Sequence, residues 1–342
     1  MTENTQHSWG TKALVTGGGG FLGKAIVKRL LAKGFTVRSF SRKAYPELKA
    51  LGVEQISGEI SDPGAVLSAC RDCDIVFHVA ARPGIWGDYQ EYYRINFVGT
   101  ENVIGACRKL KIPRLVYTSS PSVVFDGRDC EGLDESMPYP AHYETAYPET
   151  KALAEKAVLA ANSPEFMTVS LRPHLIWGPE DNHLVPRIVQ RAKAGVLRFV
   201  GDGKNRVDTI YIDNAADAHM CAAEHLQPGA PCLGKPYFIT QNDPRTIADF
   251  LNGVLKAAGL PPETRTVPAT LAYAAGWAME TFYSWTGKQD EPRMTRFLAR
   301  ELSTHHWFNV QAATRDLGFT PTISIDEGFQ RLTDWFAGKG AS

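Results

Sequence analysis

The run VTGGGGFLGKA (residues 15–25) constrains the chain more than any other stretch. It follows an apolar segment, KALVT (12–16), and leads into a helical pattern, FLGKAIVKRLLAKG, that Gly34 caps. Glycines between a strand and a helix allow a tight turn and close backbone approach, so that a pyrophosphate rests on the helix N-terminus. A glycine run alone is only a flexible turn; the strand–turn–helix context makes it a dinucleotide loop. Gly17, Gly20, Phe21, Leu22 and Gly23 are its candidate contacts.

Further apolar runs repeat the strand–helix rhythm: FTVRSF (35–40), VEQIS (53–57), DIVFHVA (74–80), RLVYTS (114–119) and FMTVSLRP (166–173). Their apolar continuity suits parallel strands covered on both faces. The expected fold is α/β: a Rossmann-type doubly wound parallel sheet with a smaller C-terminal substrate-binding domain. After about residue 178 the rhythm changes to helical patterns and loops. We therefore assign 10–178, with 207–240 returning to it, to dinucleotide binding, and 179–206 with 241–338 to substrate binding.

Lys plus Arg and Asp plus Glu are 37 each in 342 residues, which argues against a nucleic-acid partner. The six cysteines are too few and too scattered for a disulfide framework. Cys70 and Cys73 form a CxxC, but no second pair or nearby histidines complete a zinc site, so no metal is expected. The polar start, MTENTQHSWG, is not a signal peptide. The most apolar segment, TLAYAAGWAMETFYSW (270–285), contains Glu280 and is shorter than the ~20 residues of a spanning helix. We expect a cytoplasmic protein without a transmembrane segment. The 270–285 segment can be core, the wall of an alkyl channel, or a weak membrane-surface contact.

The second strand selects the dinucleotide. NAD enzymes place an acid at its end to accept from the ribose 2′-hydroxyl. Here the sequence is SFSRK, with Ser41, Arg42 and Lys43. No carboxylate repels a 2′-phosphate, and the planar fork of Arg42 suits one, so NADP(H) is the expected cofactor.

Tyr147 and Lys151, in YPETK, lie one turn apart on one helix face, with Pro148 in the first turn. The strand RLVYTSSPSVV carries Ser119 and Ser120 to the ligand-binding edge of the sheet. Together with the glycine loop, this set resembles the extended short-chain dehydrogenase/reductases, over nearly the whole chain. FHVAA (77–81), NFVGTENV (96–103) and YIDNAADAH (211–219) match the same family. The resemblance implies that Ser120, Tyr147 and Lys151 are catalytic, with Ser119 and Ser122 as second and third choices for the serine. It places Tyr147, Lys151, Glu59, Ile60, Ala80, Ala81 and Pro173 against the cofactor. Asn96 is expected to bond backbone rather than to react. The nearby ammonium and the nicotinamide charge would bring the phenol, whose ordinary pKa is ~10, toward neutrality. The resemblance also implies a homodimer through the helices near 90–110 and 147–161.

Within the family, nucleotide-sugar epimerases carry an arginine before the aspartate that here is Asp208; this chain has Val207. LRPHLIWGP (171–179) resembles the 3β-hydroxysteroid dehydrogenase pattern instead. AYPELKALGV, YPETKALAEKAVLAAN and LIWGPEDNHLVPR resemble the branch that reduces the 3-keto group of 2-alkyl-3-oxoalkanoic acids in bacterial olefin biosynthesis. That branch implies a lipid-like small-molecule substrate. His174, where a second arginine is expected, departs from it. His174, His183 and Arg187 are the candidate partners of a substrate carboxylate. Sterol 4-carboxylate dehydrogenases, epimerase/dehydratases and a redox-sensing binding protein are the alternatives; the intact Ser/Tyr/Lys set argues against the last.

Overall fold

The computed structural model describes residues 9–288 and 290–340. One seven-stranded, all-parallel sheet runs Lys235–Ile239, Met167–Pro173, Arg114–Thr118, Ile75–His78, Lys12–Thr16, Thr36–Ser41, Glu54–Ser57. Strand order reverses between Lys12–Thr16 and Ile75–His78, the position where doubly wound sheets bind ligands.

Alternation of side chains builds two cores from these strands. Ala13, Val15, Ile75, Phe77, Val116, Val169 and Leu171 face one side, where helices Phe21–Ala32 and Ile212–His225 cover them. Leu14, Val76, Leu115 and Tyr117 face the other, under helices Pro63–Cys70, Gly99–Leu110 and Ala146–Ala160. Burial on both faces explains why the strands read as unbroken apolar runs. The six strands expected from sequence are present, with ends shifted by one or two residues. The seventh, Lys235–Ile239, which the sequence reading did not identify as a strand, pairs with Met167–Pro173 from Lys235–Val169 to Ile239–Pro173.

Over the carboxyl edge lies a more irregular region. A four-stranded sheet joins Arg245–Thr246, Arg206–Val207, His306–Phe308 and Cys130–Leu133, so a segment before residue 178 completes a sheet of the C-terminal half. Helices Leu184–Lys193, Ile247–Ala257, Ala269–Thr286 and Arg296–Glu301 surround it. The aromatic helix Ala269–Thr286 is not a core helix. Only Ala272 and Gly276 are buried in it, whereas Leu271, Trp277, Phe282 and Trp285 are exposed. Among the described residues, no helix is long and apolar enough to cross a membrane.

Candidate active site

The glycine loop makes a cradle that side chains would fill. Gly17 has φ +69°, and a Cβ on Gly23 would lie 2.1 Å from the Gly17 carbonyl oxygen. The helix Phe21–Ala32 begins after Gly20 with no side-chain cap and no acid in its first turn. Its first N–H groups are therefore free for an anion. At the end of the next strand the Ser41 hydroxyl is buried without a partner, and Arg42 beside it is exposed. A ribose hydroxyl of a dinucleotide fits the first. Glu59 is exposed, whereas the Ile60 side chain is buried in the core, and its carbonyl accepts from Asn102 Nδ2 at 3.1 Å.

A buried relay fixes the turn after Ile75–His78. Thr16 Oγ1 accepts from the N–H groups of Val79 and Ala80, both at 3.1 Å, and donates to His78 Nδ1 at 2.8 Å. His78 Nε2 donates to Thr100 Oγ1 (2.9 Å), which donates to the Asn96 carbonyl (2.6 Å). Burial pushes the His78 pKa down to about 3, so the ring is neutral and can bridge two hydroxyls. The Asn96 amide accepts from Arg82 N and donates to Arg82 O. Asn96 thus bonds backbone, and it holds the turn that presents Ala80 and Ala81.

Ser120, Ser122, Tyr147, Pro173 and His174 line one pocket of ≈ 200 Å³; Ser119 does not. Ser120 Oγ accepts from Ser122 Oγ at 2.9 Å and from Ser122 N at 3.2 Å, which leaves its own proton to donate. Ser122 therefore orients Ser120. Tyr147 is the second residue of helix Ala146–Ala160, and Lys151 follows one turn later. Lys151 Nζ donates to the Thr118 carbonyl at 2.6 Å and lies 4.3 Å from the centre of the Tyr117 ring.

The protein's own groups around the phenol act in the opposite sense to the nicotinamide charge. Burial pushes Tyr147 up to about 12, against a hydrogen bond from Ser120 that favours the phenolate. Lys151 is pulled by burial down to about 7, with Glu155 opposing. One further turn along the same helix, burial raises Glu155 but Arg172 overrides it, and the carboxylate is held low. Their ion pair (2.6 Å) is almost fully buried, and Tyr139 and Ser170 also donate to Glu155. It ties helix Ala146–Ala160 to strand Met167–Pro173.

The pocket continues into a chamber of ≈ 770 Å³. Ile85, His174, Leu175, Glu301 and His306 belong to both. The chamber wall is mainly apolar and includes Val207, Phe250, Leu251, Val267, Leu271 and Ala275. Val207 is buried there, while Arg206 turns out to the surface and donates to the Pro244 carbonyl. The inner face of the aromatic helix is thus a chamber wall.

Of the three candidate carboxylate partners, His183 is exposed and lines neither space. Arg187 lines the chamber but pairs with Glu291. His174 lines the pocket, yet burial lowers its pKa to about 4 and its Nδ1–H donates to the Asp208 carbonyl at 2.6 Å. A neutral ring so bonded presents only an acceptor. Sequence reading did not single out Glu301 or His306: in FLARELSTHHWF they look like ordinary helix-end and loop residues.

The 3-beta hydroxysteroid dehydrogenase/isomerase family matches residues 14–270. A 2-alkyl-3-oxoalkanoate reductase of Shewanella oneidensis is 51% identical over 328 residues, 94% of this chain and 85% of that protein. One of Stenotrophomonas maltophilia is 49% identical over 94% of this chain and 98% of that protein. A solved structure of UDP-glucuronic acid 4-epimerase from Bacillus cereus in complex with NAD has a TM-score of 0.74 at 20% identity, covering 96% of this chain and 99% of that one. The last likeness shows the fold alone. The chain belongs to the 3-beta hydroxysteroid dehydrogenase/isomerase family, within the extended short-chain dehydrogenase/reductases, and is an oxidoreductase acting on CH–OH groups.

Proposed function

We propose that the protein reduces, reversibly, the 3-keto group of a 2-alkyl-3-oxoalkanoic acid with NADPH. The observation that carries the reading is the apolar chamber that opens off the Ser120–Tyr147 pocket. It suits alkyl chains, and with Val207 in its wall it offers a sugar diphosphate no cation at that position. The activity named for the two bacterial relatives supports the same substrate class.

The division of labour follows the segments: 10–178 with 207–240 hold the dinucleotide, and 179–206 with 241–338 supply most of the chamber. The glycine loop, Ser41 and Arg42 hold the dinucleotide, and Arg42 grips a 2′-phosphate. When bound, the reduced dinucleotide supplies a hydride. Ser120 donates a hydrogen bond to the ketone oxygen and polarises it. Tyr147, protonated at neutral pH because burial keeps it so, supplies the proton to that oxygen. The charged form of Lys151 stabilises the phenolate left behind and, by family analogy, holds the nicotinamide ribose.

Racemic 2-alkyl-3-hydroxy acids of increasing length, offered with NADP, test the reading through absorbance of the reduced cofactor. Affinity should rise by about 0.8 kcal/mol per buried methylene until the chamber fills. Turnover of a UDP-sugar or a 3β-hydroxysteroid, with none of the acids at any length, would reassign the substrate.

A further inference from the structure

The substrate proposed above raises a problem of charge. Its carboxylate is attached to the carbon next to the reacting ketone, so it must enter the pocket with it. No lysine or arginine lines that pocket among the described residues. An unpaired carboxylate would be costly there.

In the substrate reading above, the Ser120 and Tyr147 hydroxyls serve the ketone oxygen; of the other polar side chains that line the pocket, one group remains unengaged. The Ser122 hydroxyl donates to Ser120. His174 uses its Nδ1–H on the Asp208 carbonyl. Thr304 Oγ1 donates to the Arg300 carbonyl (2.7 Å), so the contact at 2.7 Å between Thr304 Oγ1 and His306 Nε2 takes the ring's proton. Burial lowers the His306 pKa to about 3 and keeps the ring neutral, which leaves only an acceptor on its other nitrogen. Cys130 turns its thiol toward the Arg128 carbonyl. Glu301, the last residue of helix Arg296–Glu301, remains. It lines both pocket and chamber, and no hydrogen bond or ion pair engages its carboxyl group among the described residues.

We propose that Glu301, in its protonated form, donates a hydrogen bond to the substrate's carboxylate and thereby selects 3-oxo acids over the matching esters. The inference rests on the substrate reading above. The groups facing Glu301 allow it to hold a proton. Tyr147, His174 and His306 are neutral near pH 7, and Arg187, the cation that favours its ionised form, is engaged by Glu291. Around the chamber, Arg191 donates to the Arg293 carbonyl and Arg198 pairs with Glu263, while Arg293 lines the chamber and not the pocket. Burial raises the Glu301 pKa to about 7, with Arg187 opposing. A second carboxylate beside it raises that value further.

The test compares a 2-alkyl-3-hydroxy acid with its methyl ester, using NADP, from about pH 6 to pH 9. Both depend equally on Tyr147, so the acid-to-ester ratio of kcat/KM isolates the carboxylate contact. In the wild type this ratio should fall by about tenfold per pH unit above about pH 8, carried by KM of the acid. In Glu301→Gln, whose amide donates at every pH, the ratio should be flat. In Glu301→Ala it should drop at least about tenfold at pH 6. Measured NADPH binding checks that each variant is folded. A wild-type ratio independent of pH, or a fall that persists in Glu301→Gln, overturns the role of Glu301 while the substrate reading stands. No turnover of any acid by the wild type removes both.

Discussion

The cofactor edge of the sheet and the chamber opposite it are built by different rules. Along the edge, each functional group belongs to a short contiguous motif: Gly17 to Gly23 in one turn, Ser41 and Arg42 at one strand end, Tyr147 and Lys151 on one helical turn. The chamber draws Ile85, His174, Arg187, Val207, Ala275, Glu301 and His306 from separate segments, none of which forms a motif with the next. The edge presents backbone N–H groups, hydroxyls and charge; the chamber presents a mainly apolar wall, neutral histidines and arginines such as Arg187 and Arg198 that are paired with acids. Chemistry common to many enzymes can sit in local patterns, because backbone geometry alone holds it in place. Choice of substrate depends on how distant segments meet.

If the two regions are separable in function, substitutions should divide between them. The largest effect belongs to Tyr147→Phe, which should lower turnover by at least ~10²-fold while leaving NADPH binding nearly unchanged. Steady-state rates beside a cofactor titration check this; a variant that keeps most of its activity would take the proton donor out of the edge. Arg42→Ala should weaken NADPH about tenfold or more, with little change for NADH, through loss of a charge-assisted contact. Equal binding of the two cofactors by the wild type would show that SFSRK does not discriminate. The smallest effect is expected in the chamber. Ala275→Phe fills part of the wall and should move the preferred acid to shorter chains, at about 0.8 kcal/mol for each methylene excluded. Comparing kcat/KM across chain lengths reads this. A loss of rate independent of length would mean that chamber and chemistry are coupled.

Much of the scaffold was legible because period and motif are local properties. The buried strands appeared as apolar runs, and the Ser/Tyr/Lys set lay where the sheet's carboxyl edge puts it. Two-residue strands such as Arg206–Val207 and Phe199–Val200 have no period to detect, which hid the small sheets. The helix Ala269–Thr286 is the most apolar stretch of the sequence, yet Trp277 and Trp285 are exposed, while Leu271, Ala272 and Ala275 meet the chamber. The resemblance put Ser120 ahead of Ser119 and Ser122; the structure places Ser120 and Ser122, but not Ser119, in the pocket wall.

The sequence by itself determined the parallel sheet, the dinucleotide turn and the helix that carries Tyr147 and Lys151, because each follows from spacing within some twenty residues and from backbone geometry. The tertiary structure alone decided the protonation of the site. Tyr147 near 12, Lys151 near 7 and the neutral His174 and His306 follow from the exclusion of water by segments far apart in the chain. Glu301 shows this most clearly. It is an ordinary acid in its local sequence, and its raised pKa comes from the walls that close around it, not from any neighbour along the chain.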